Sequence, residues 1–294
     1  MMIFLDEKDN VAGNHEHYYF GDFHSFVAGY PIRTLKEQLR MISTKKNATF
    51  SLGGDNTDSM NPLDPRWKIE QYDPGMQKSD QQIDALLELL EPIADRCLWV
   101  LAGNHEQRVW NVTDIAKRIA EGLGCDCYDG YKCSNISAKV DFGSYKVLDG
   151  HWEWYISSQA NDDQVAWENE RRSLKKKCRN VGGVHDCEAV VEHHIHRVHS
   201  IMPSSQNFMK LISYNGKLKS AYPHIEKIWI DKKKGQYYYH QDDRWYGSSG
   251  GFMPGYVDGI STYVEKKGYK PTEMGCVKAV VKRDRFMGLE EVKL

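Results

Sequence analysis

The sequence lacks long hydrophobic runs, a large net charge and a regular cysteine pattern. No apolar stretch in its 294 residues approaches the length that crosses a bilayer, and its first residues lack the cationic-then-apolar pattern of a secretory signal. A formal net charge of −2 argues against a protein built as a whole to bind polyanions. Seven cysteines, an odd number, are expected to be mostly reduced thiols. We therefore expect a cytoplasmic globular protein with no membrane partner.

The chain is rich in large aromatic residues, with 8 Trp and 17 Tyr. This composition and length suit a folded protein with a substantial core. Residues 152–188 contain a charged amphipathic stretch followed by Gly182 and Gly183, and we interpret them as an insertion. Residues 200–294 are rich in aromatic and turn residues and are expected to be mostly β-strand. We predict a single domain over 1–294.

Three helices and five buried strands are predicted from apolar spacing. Capping boxes at Thr34–Glu37 and Ser79–Gln82 predict helices over 35–44 and from 79 to about Pro92. A third apolar stripe, 115–123, ends at Gly124. The strands expected between them are Tyr18–Phe20, Ala48–Leu52, Cys97–Leu101, Tyr145–Leu148 and Ala189–Val191. Strands that alternate with helices indicate an α/β fold around a largely buried sheet.

Each of these strands runs directly into a polar cluster. Open α/β sheets bind ligands at the carboxyl ends of their strands. The clusters are 21–24, 53–58, 102–106, 149–151 and 192–196. Five groups of Asp, Asn and His at five such positions predict one functional site.

The tetrapeptide GNHE occurs twice, at 13–16 and at 103–106. The second copy follows a buried strand, where site residues are expected. The first copy follows a polar stretch and precedes the first strand, at the opposite end from the site. We interpret 103–106 as functional and 13–16 as a coincidence.

The residue types in the clusters suit a pair of divalent cations. Such a pair needs one bridging carboxylate and several neutral or anionic ligands. Asp55 is placed to bridge, and the other candidates are Asp22, His24, Asn104, His151, His194 and His196. A mixed oxygen and nitrogen set favours Mn²⁺, with Fe, Zn²⁺ or Ni²⁺ as alternatives, and the absence of thiolates argues against a structural zinc site.

The order of these motifs resembles the calcineurin-like metallophosphoesterase superfamily, whose pattern is D-x-H, G-D, G-N-H-[DE], a lone His and G-H-x-H. The matching positions are Asp22–His24, Gly54-Asp55, Gly103–Glu106, His151 and His194–His196. The resemblance implies a four-layer αββα sandwich, an α/β (α+β) fold in which helices flank two mixed sheets. It also implies that Asp22, His24 and His196 hold one ion and that Asn104, His151 and His194 hold the other. Asp55 would be shared, and His105 would be a general acid or electrostatic stabiliser.

Two motifs depart from the family pattern. The fourth reads Asp149-Gly150-His151 where His-Gly is usual, and the fifth has His193 where Gly is expected. Arg108 and the C-terminal region resemble phage and bacterial members, which would place a phage-encoded protein in the host cytoplasm. Asp58 is interpreted either as a partner of the ligands or as a turn residue.

The implied reaction is metal-assisted hydrolysis of a phosphate ester, with Asp55 and His105 as catalytic residues. The first hypothesis is a phosphodiesterase or nuclease, because the basic run 171–177 would guide DNA, RNA or a nucleotide to the metals. A solvated helix face is an equally good interpretation of that run. Candidate substrate-binding residues are Asn56, Arg108, Arg171 and Arg172. The alternatives are a phosphomonoesterase acting on a protein or metabolite, and a non-catalytic metal-binding scaffold.

Overall fold

The computed structural model of the protein describes residues 2–4, 13–59, 67–109, 113–128, 136–204, 210–214, 217–221, 228–268, 270–271 and 273–294. Within these ranges, no helix is both long enough and apolar enough to cross a membrane. The strands are β1 (Met2–Phe4), β2 (His15–Phe20), β3 (Ala48–Gly53), β4 (Cys97–Leu101), β5 (Asp126–Tyr128), β6 (Ile136–Asp141), β7 (Lys146–His151), β8 (Ala189–Glu192), β9 (His199–Ile201), β10 (Lys210–Tyr214), β11 (Lys217–Ala221), β12 (Ile228–Asp231), β13 (Gln236–Tyr238), β14 (Trp245–Ser248), β15 (Gly275–Lys282) and β16 (Arg285–Lys293). The α-helices are α1 (Ile32–Ser43), α2 (Ser79–Leu90), α3 (Asn104–Val109), α4 (Ile115–Leu123), α5 (Asp163–Cys178) and α6 (Tyr263–Lys267).

Two six-stranded mixed sheets form the centre of the molecule. The first has the strand order β16-β15-β2-β3-β4-β5, in which β2 to β5 run parallel and β15 is antiparallel to β2. The second has the order β1-β6-β7-β8-β14-β9, in which β7, β8 and β14 run parallel. Two small hairpins, β10–β11 and β12–β13, stand apart from both sheets.

An aromatic core fills the space between the sheets. The Trp99 indole of β4 is fully buried and stacks on the His17 ring of β2 at 4.7 Å. The Tyr19 hydroxyl lies 3.0 Å from the Tyr145 hydroxyl across the gap. Successive side chains of β7 alternate, because Val147 enters this core while Leu148 packs on the other face of its sheet.

Helices cover the outer face of each sheet. Contacts join α1 to β3 and α4 to β4 and β5, while α2 packs on α4. On the other side, α5 contacts β9 and β14, and its Leu174 joins Leu148 and Tyr246 of the sheet in one apolar cluster. The layers therefore follow the order helix, sheet, sheet, helix, and the predicted αββα sandwich is confirmed.

The predicted capping box at Thr34 is wrong. Helix α1 begins at Ile32, three residues before the predicted start at 35, because Pro31 precedes it and the Pro31 carbonyl accepts the Leu35 N–H at 3.1 Å. The predicted box at Ser79 is displaced by one residue, since the Lys78 N–H donates to the Gln81 side chain at 3.2 Å. Helix α4 ends at Gly124 as predicted, with a φ of 71° that glycine adopts without strain.

The first GNHE copy is structural. It lies at the start of β2, and Glu16 accepts hydrogen bonds from Tyr18 at 2.7 Å, Lys278 at 2.8 Å and Lys45. Burial alone would raise the pKa of Glu16, but these donors lower it to about 2. The carboxylate therefore joins β2 to β15 and to the loop after α1.

Glu16 is expected to make stability depend on acidity. Its folded pKa lies below its ordinary value, so its contribution is fully present above about pH 4.5 and is lost as the pH falls towards 2. The Glu16→Gln variant should therefore be less stable than the wild type at pH 7 and should approach it at pH 3. Urea midpoints at the two pH values measure this, and an equal gap at both would contradict the prediction.

Candidate metal centre

The turns that follow β2 and β3 are joined to each other. The Asp22 N–H donates to the Gly54 carbonyl at 3.0 Å, and the His24 N–H donates to the Asp55 carbonyl at 2.9 Å. Because β2 and β3 are parallel neighbours, their carboxyl ends bring these side chains to one edge of the sheet.

All seven predicted ligands lie together at this edge. Three overlapping groups have ligand atoms within 4.8 Å of one another, and they involve Asp22, His24, Asp55, His105, His151, His194 and His196. The Asn104 amide joins them, with its side-chain oxygen 3.1 Å from His151 Nε2. The first sheet supplies Asp22, Asp55 and Asn104, whereas His151 and His194 come from the second.

The spacing of these atoms suits a cation. His24 Nε2 and His151 Nε2 lie 3.7 and 3.6 Å from the same oxygen, Asp55 Oδ2. These separations are too long for hydrogen bonds, but ligand atoms that are each about 2.1 Å from a cation lie roughly 3–4 Å apart. Asp22 Oδ1 and His24 Nε2 are buried with no hydrogen-bond partner among the described residues. The donor set therefore fits divalent metal.

Asn104 fits the same interpretation. The inward end of its amide lies 3.1 Å from Asp55 Oδ2, 3.1 Å from His151 Nε2 and 2.9 Å from His194 Nδ1. An inward NH₂ group would donate to these atoms, whereas an inward oxygen faces acceptors and requires a cation between them. Either end of the amide can occupy this position, so Asn104 suits both the metal-free and the metal-bound state.

The ligand residues adopt unusual backbone conformations. Asp22, His24, Asp55, His194 and His196 all have positive φ, between 42° and 79°. A non-glycine residue in this region costs on the order of 1 kcal/mol and persists where the surrounding structure holds it. Strain at five residues of one cluster is typical of a functional site rather than of a structural turn.

Two glycines allow the turns after β3 and β4 to meet. A Cβ atom on Gly103 would lie 2.1 Å from Asp55 Oδ1, and one on Gly54 would lie 2.8 Å from the Gly103 backbone. Gly54 also has a φ of 97°. A side chain at Gly103 would displace Asp55, and one at Gly54 would displace the Gly103 backbone or His151.

Glu106 holds the Asp55 turn in place. Its Oε2 accepts the N–H groups of Asp55 at 2.9 Å and Gly103 at 2.7 Å, and its Oε1 accepts those of Asn56 at 2.6 Å and Thr57 at 3.3 Å. Burial and the negative charge of Asp55 raise the pKa of Glu106 to about 7, and its N–H donors act in the opposite direction.

Burial keeps the His151 and His196 imidazoles neutral, and it acts with the charge of Asp55 against ionisation of Asp22. Burial lowers the pKa of His151 to about 3 and that of His196 well below its ordinary value, so both offer lone pairs near neutral pH. Burial and the nearby Asp55 charge raise the pKa of Asp22. Two buried carboxylates that disfavour each other's charge form a site that a divalent cation would stabilise.

His105 lies beside the cluster and is held by Asp58. Its Nδ1 is 2.7 Å from the Asp58 carbonyl and 3.4 Å from Asp58 Oδ1, while Tyr72 donates to Asp58 Oδ2 at 2.9 Å. Burial alone would lower the pKa of His105, but Asp55 and Asp58 raise it. Of the two interpretations of Asp58, the partner of the site residues is the one that the geometry favours.

The candidate substrate-binding residues differ in their surroundings. The Arg108 guanidinium lies 3.1 Å from the outward end of the Asn104 amide, next to the cluster. Asn56 is buried, and its amide donates to the Leu101 carbonyl at 3.1 Å. Arg171 stacks over Trp167 at 4.2 Å and faces Glu291 at 3.6 Å, whereas Arg172 is exposed and faces Glu168 at 3.7 Å. Arg171 is thus engaged within the fold.

Two features of the site were not anticipated from the sequence. Glu106 is part of the predicted 103–106 motif, but its contacts with four backbone N–H groups depend on the fold and carry no sequence signal. The two departures, Asp149 and His193, contact each other at 2.8 Å. The one sequence signal for this contact is that Asp149 and His193 both depart from the expected motifs.

Known proteins show only a distant similarity to this chain. No protein-family model and no curated protein matches the sequence. Among solved structures, the chain is similar to a conserved uncharacterized protein from Streptococcus pneumoniae, described as a predicted phosphoesterase, with 9% identity, 97% and 100% of the two chains covered and a TM-score of 0.31.

Two further solved structures are similar at the same low level. A hypothetical protein from Thermus thermophilus has 12% identity, 95% and 98% coverage and a TM-score of 0.42. Vps29 from Chaetomium thermophilum has 9% identity, 95% and 96% coverage and a TM-score of 0.32. Similarity this low says nothing about activity, so the functional argument depends on the site.

Proposed function

We propose that the protein is a dimetal-dependent phosphoester hydrolase. One observation carries the proposal: buried carboxylate, amide and imidazole groups from both sheets converge on one point, with atoms that no described protein group satisfies. In this proposal Asp22, His24 and His196 hold one ion and Asn104, His151 and His194 hold the other, with Asp55 shared. The mixed donors favour Mn²⁺, with Fe, Zn²⁺ and Ni²⁺ as alternatives.

Two divalent cations in such a site supply a water of lowered pKa and neutralise the charge of the phosphoryl oxygens. His105 supplies what the metal ligands cannot, which is a proton for the departing oxygen. Because its Nδ1 faces the Asp58 carbonyl at 2.7 Å, Nε2 is the nitrogen that remains to hold and deliver that proton. Arg108, next to Asn104, is placed to contact an anionic substrate.

We favour a phosphodiester in a nucleotide or nucleic acid as the substrate. Support comes from α5, whose basic residues include the exposed Arg172, and from Trp154, which packs under Lys177 at 6.0 Å near the start of the insertion. A basic face with an accompanying aromatic ring suits a phosphate backbone and a stacked base.

A second candidate is a phosphomonoesterase. It is favoured by the internal contacts of α5, because Arg171 is engaged with Trp167 and Glu291, and Lys175 lies 2.8 Å from Asp242. A basic run whose charges are satisfied within the fold has less to offer a nucleic acid. A non-catalytic scaffold is the weakest of the three, because it has no need of His105 in this position.

Paired initial rates on bis-(p-nitrophenyl) phosphate and p-nitrophenyl phosphate, with Mn²⁺ present, test the proposal. Wild-type protein should hydrolyse the diester faster, and Asp55→Asn should lower that rate by at least about 100-fold, because Asp55 is the shared ligand. Asp163→Asn is the control, since the Asp163 side chain is 97% exposed.

The outcomes separate the three candidates. A faster monoester reaction would favour the phosphatase. The absence of salt-sensitive binding to DNA or RNA would strengthen that conclusion. Hydrolysis that survives in Asp55→Asn would refute the proposed site. Two bound metals without hydrolysis of either ester would favour the scaffold.

A further inference from the structure

The two departures from the expected motifs form one contact. His193 Nε2 lies 2.8 Å from Asp149 Oδ1, and neither side chain has any exposed surface. Asp149 is on β7, two residues before His151, and His193 follows β8, one residue before His194. Each member of the pair is therefore within two residues of a predicted metal ligand.

The remaining polar atoms of the pair have partners from two other parts of the chain, Trp99 and Ser249. Trp99 Nε1, on the first sheet, donates to Asp149 Oδ2 at 2.9 Å. His193 Nδ1 lies 2.5 Å from the Ser249 hydroxyl, just after β14. A buried polar network in which every member has a partner is rigid, and this one crosses between the sheets.

The His193 ring also packs against the backbone of the first sheet. A Cβ atom on Gly21 would lie 2.3 Å from His193 Nδ1, and a Cβ on Gly53 would lie 2.1 Å from Nε2. Gly21 immediately precedes Asp22, and Gly53 precedes the Gly54-Asp55 turn. The ring thus fills a space that exists only because both positions are glycine.

We propose that Asp149 and His193 are a positioning pair that holds the two halves of the metal centre in register. The inference rests on the proposed function, since it assumes that the cluster binds metal. The first sheet carries Asp22 and Asp55, and the second carries His151 and His194. Metal sites require their ligands to be held within about 0.5 Å of the productive geometry.

The pair is suited to this task because each member is tied to both sheets. Asp149 belongs to the second sheet and accepts from Trp99 of the first, and His193 rests on Gly21 and Gly53. A shift of either sheet relative to the other must break the 2.9 Å hydrogen bond from Trp99 to Asp149 or press the His193 ring into a glycine backbone. Loss of the pair should therefore disturb the spacing of the ligands and not only the stability of the core.

His193→Gln and Asp149→Asn test the proposal against a matched control, His17→Gln. His17 is also fully buried, stacks on the same Trp99 ring and bonds to Thr49 at 2.8 Å and Ser51 at 3.1 Å, but it contacts no predicted ligand. Calorimetric titration with Mn²⁺ gives the affinity and stoichiometry, urea unfolding gives the stability, and electron paramagnetic resonance reports the exchange-coupled dimanganese signal.

All three variants should lose stability, but only His193→Gln and Asp149→Asn should bind Mn²⁺ roughly 10- to 100-fold more weakly and lose or alter the coupled signal. Unchanged affinity and signal in either of these two variants, with a stability loss like that of His17→Gln, would overturn the proposal. If His193→Gln does not fold, Asp149→Asn decides the question, because it keeps the shape of the side chain. Wild-type protein that binds no Mn²⁺ would refute both the proposed function and the positioning role of the pair. Metal binding without hydrolysis would refute the proposed function alone and leave the positioning role intact.

Discussion

Replacement of His105 by asparagine is expected to lower kcat roughly 10²- to 10⁴-fold while both metal ions still bind, because a general acid contributes about that much. Asparagine retains a polar side chain near the Asp58 carbonyl but cannot deliver a proton. Initial rates on the better of the two nitrophenyl esters, together with Mn²⁺ titration, measure the two effects separately. An ester with a poorer leaving group should show the larger loss, since its departing oxygen depends more on the acid.

The first GNHE copy provides the control for this variant. His15 occupies the corresponding place in 13–16, is buried and lies 3.1 Å from the Thr49 hydroxyl. His15→Asn should cost stability and leave kcat near that of the wild type. A His105→Asn enzyme that keeps wild-type kcat would exclude the proposed acid, and one that loses a metal ion would make His105 a ligand, as its place in a group with His24 and Asp55 allows.

Replacement of Glu106 by glutamine is expected to destabilise the protein by roughly 2–6 kcal/mol at pH 8, because its NH₂ group would face two buried N–H donors that each cost about 1–3 kcal/mol when unsatisfied. Each Glu106 oxygen accepts two backbone N–H groups, so neither orientation of the new amide avoids this loss. The measurement is made at pH 8 because burial and the Asp55 charge raise the pKa of Glu106 to about 7. Urea unfolding without metal gives the effect.

Glu16→Gln is the matched variant in the other GNHE copy. Its oxygens face Lys45, Lys278 and Tyr18 at the edge of the protein, where water can replace a lost partner. Its cost at pH 8 should be near 1 kcal/mol, in the range of ordinary hydrogen bonds. Equal losses in the two variants would mean that the Asp55 turn does not depend on Glu106.

Much of the fold could be predicted from local patterns. The stripe from Ile83 to Leu90 and the strand Cys97–Leu101 were predicted nearly to the residue, because apolar periodicity reports burial directly. The error at Thr34 has a local cause, since Pro31 and Thr34 both signal a helix start and the proline prevailed. The order of the strands in the two large sheets could not be inferred, because a pairing such as that of β2 with β15 joins segments far apart in the chain.

The residues of the candidate site could be predicted from the sequence, but several of their contacts and backbone conformations could not. Polar clusters after parallel strands identified the residues that meet, because parallel strands share an edge. The engagement of Arg171 by Glu291 was not predictable, since it depends on packing between distant segments. The positive φ of Asp22, His24 and Asp55 was also invisible, because these residues carry no local signal as strong as glycine does.

The order of the strands in the first sheet has a consequence for how the protein forms. Strand β2, which leads to Asp22, lies between β3 and β15. Because β15 is near the end of the chain, it is synthesised long after β2. Pairings between segments so far apart in sequence are slow, because the intervening chain must first be closed into a loop. A nascent chain that ends after His196 would contain every candidate ligand but not the strand that holds β2 in place. High-affinity metal binding should accordingly appear late in refolding, together with the docking of β15.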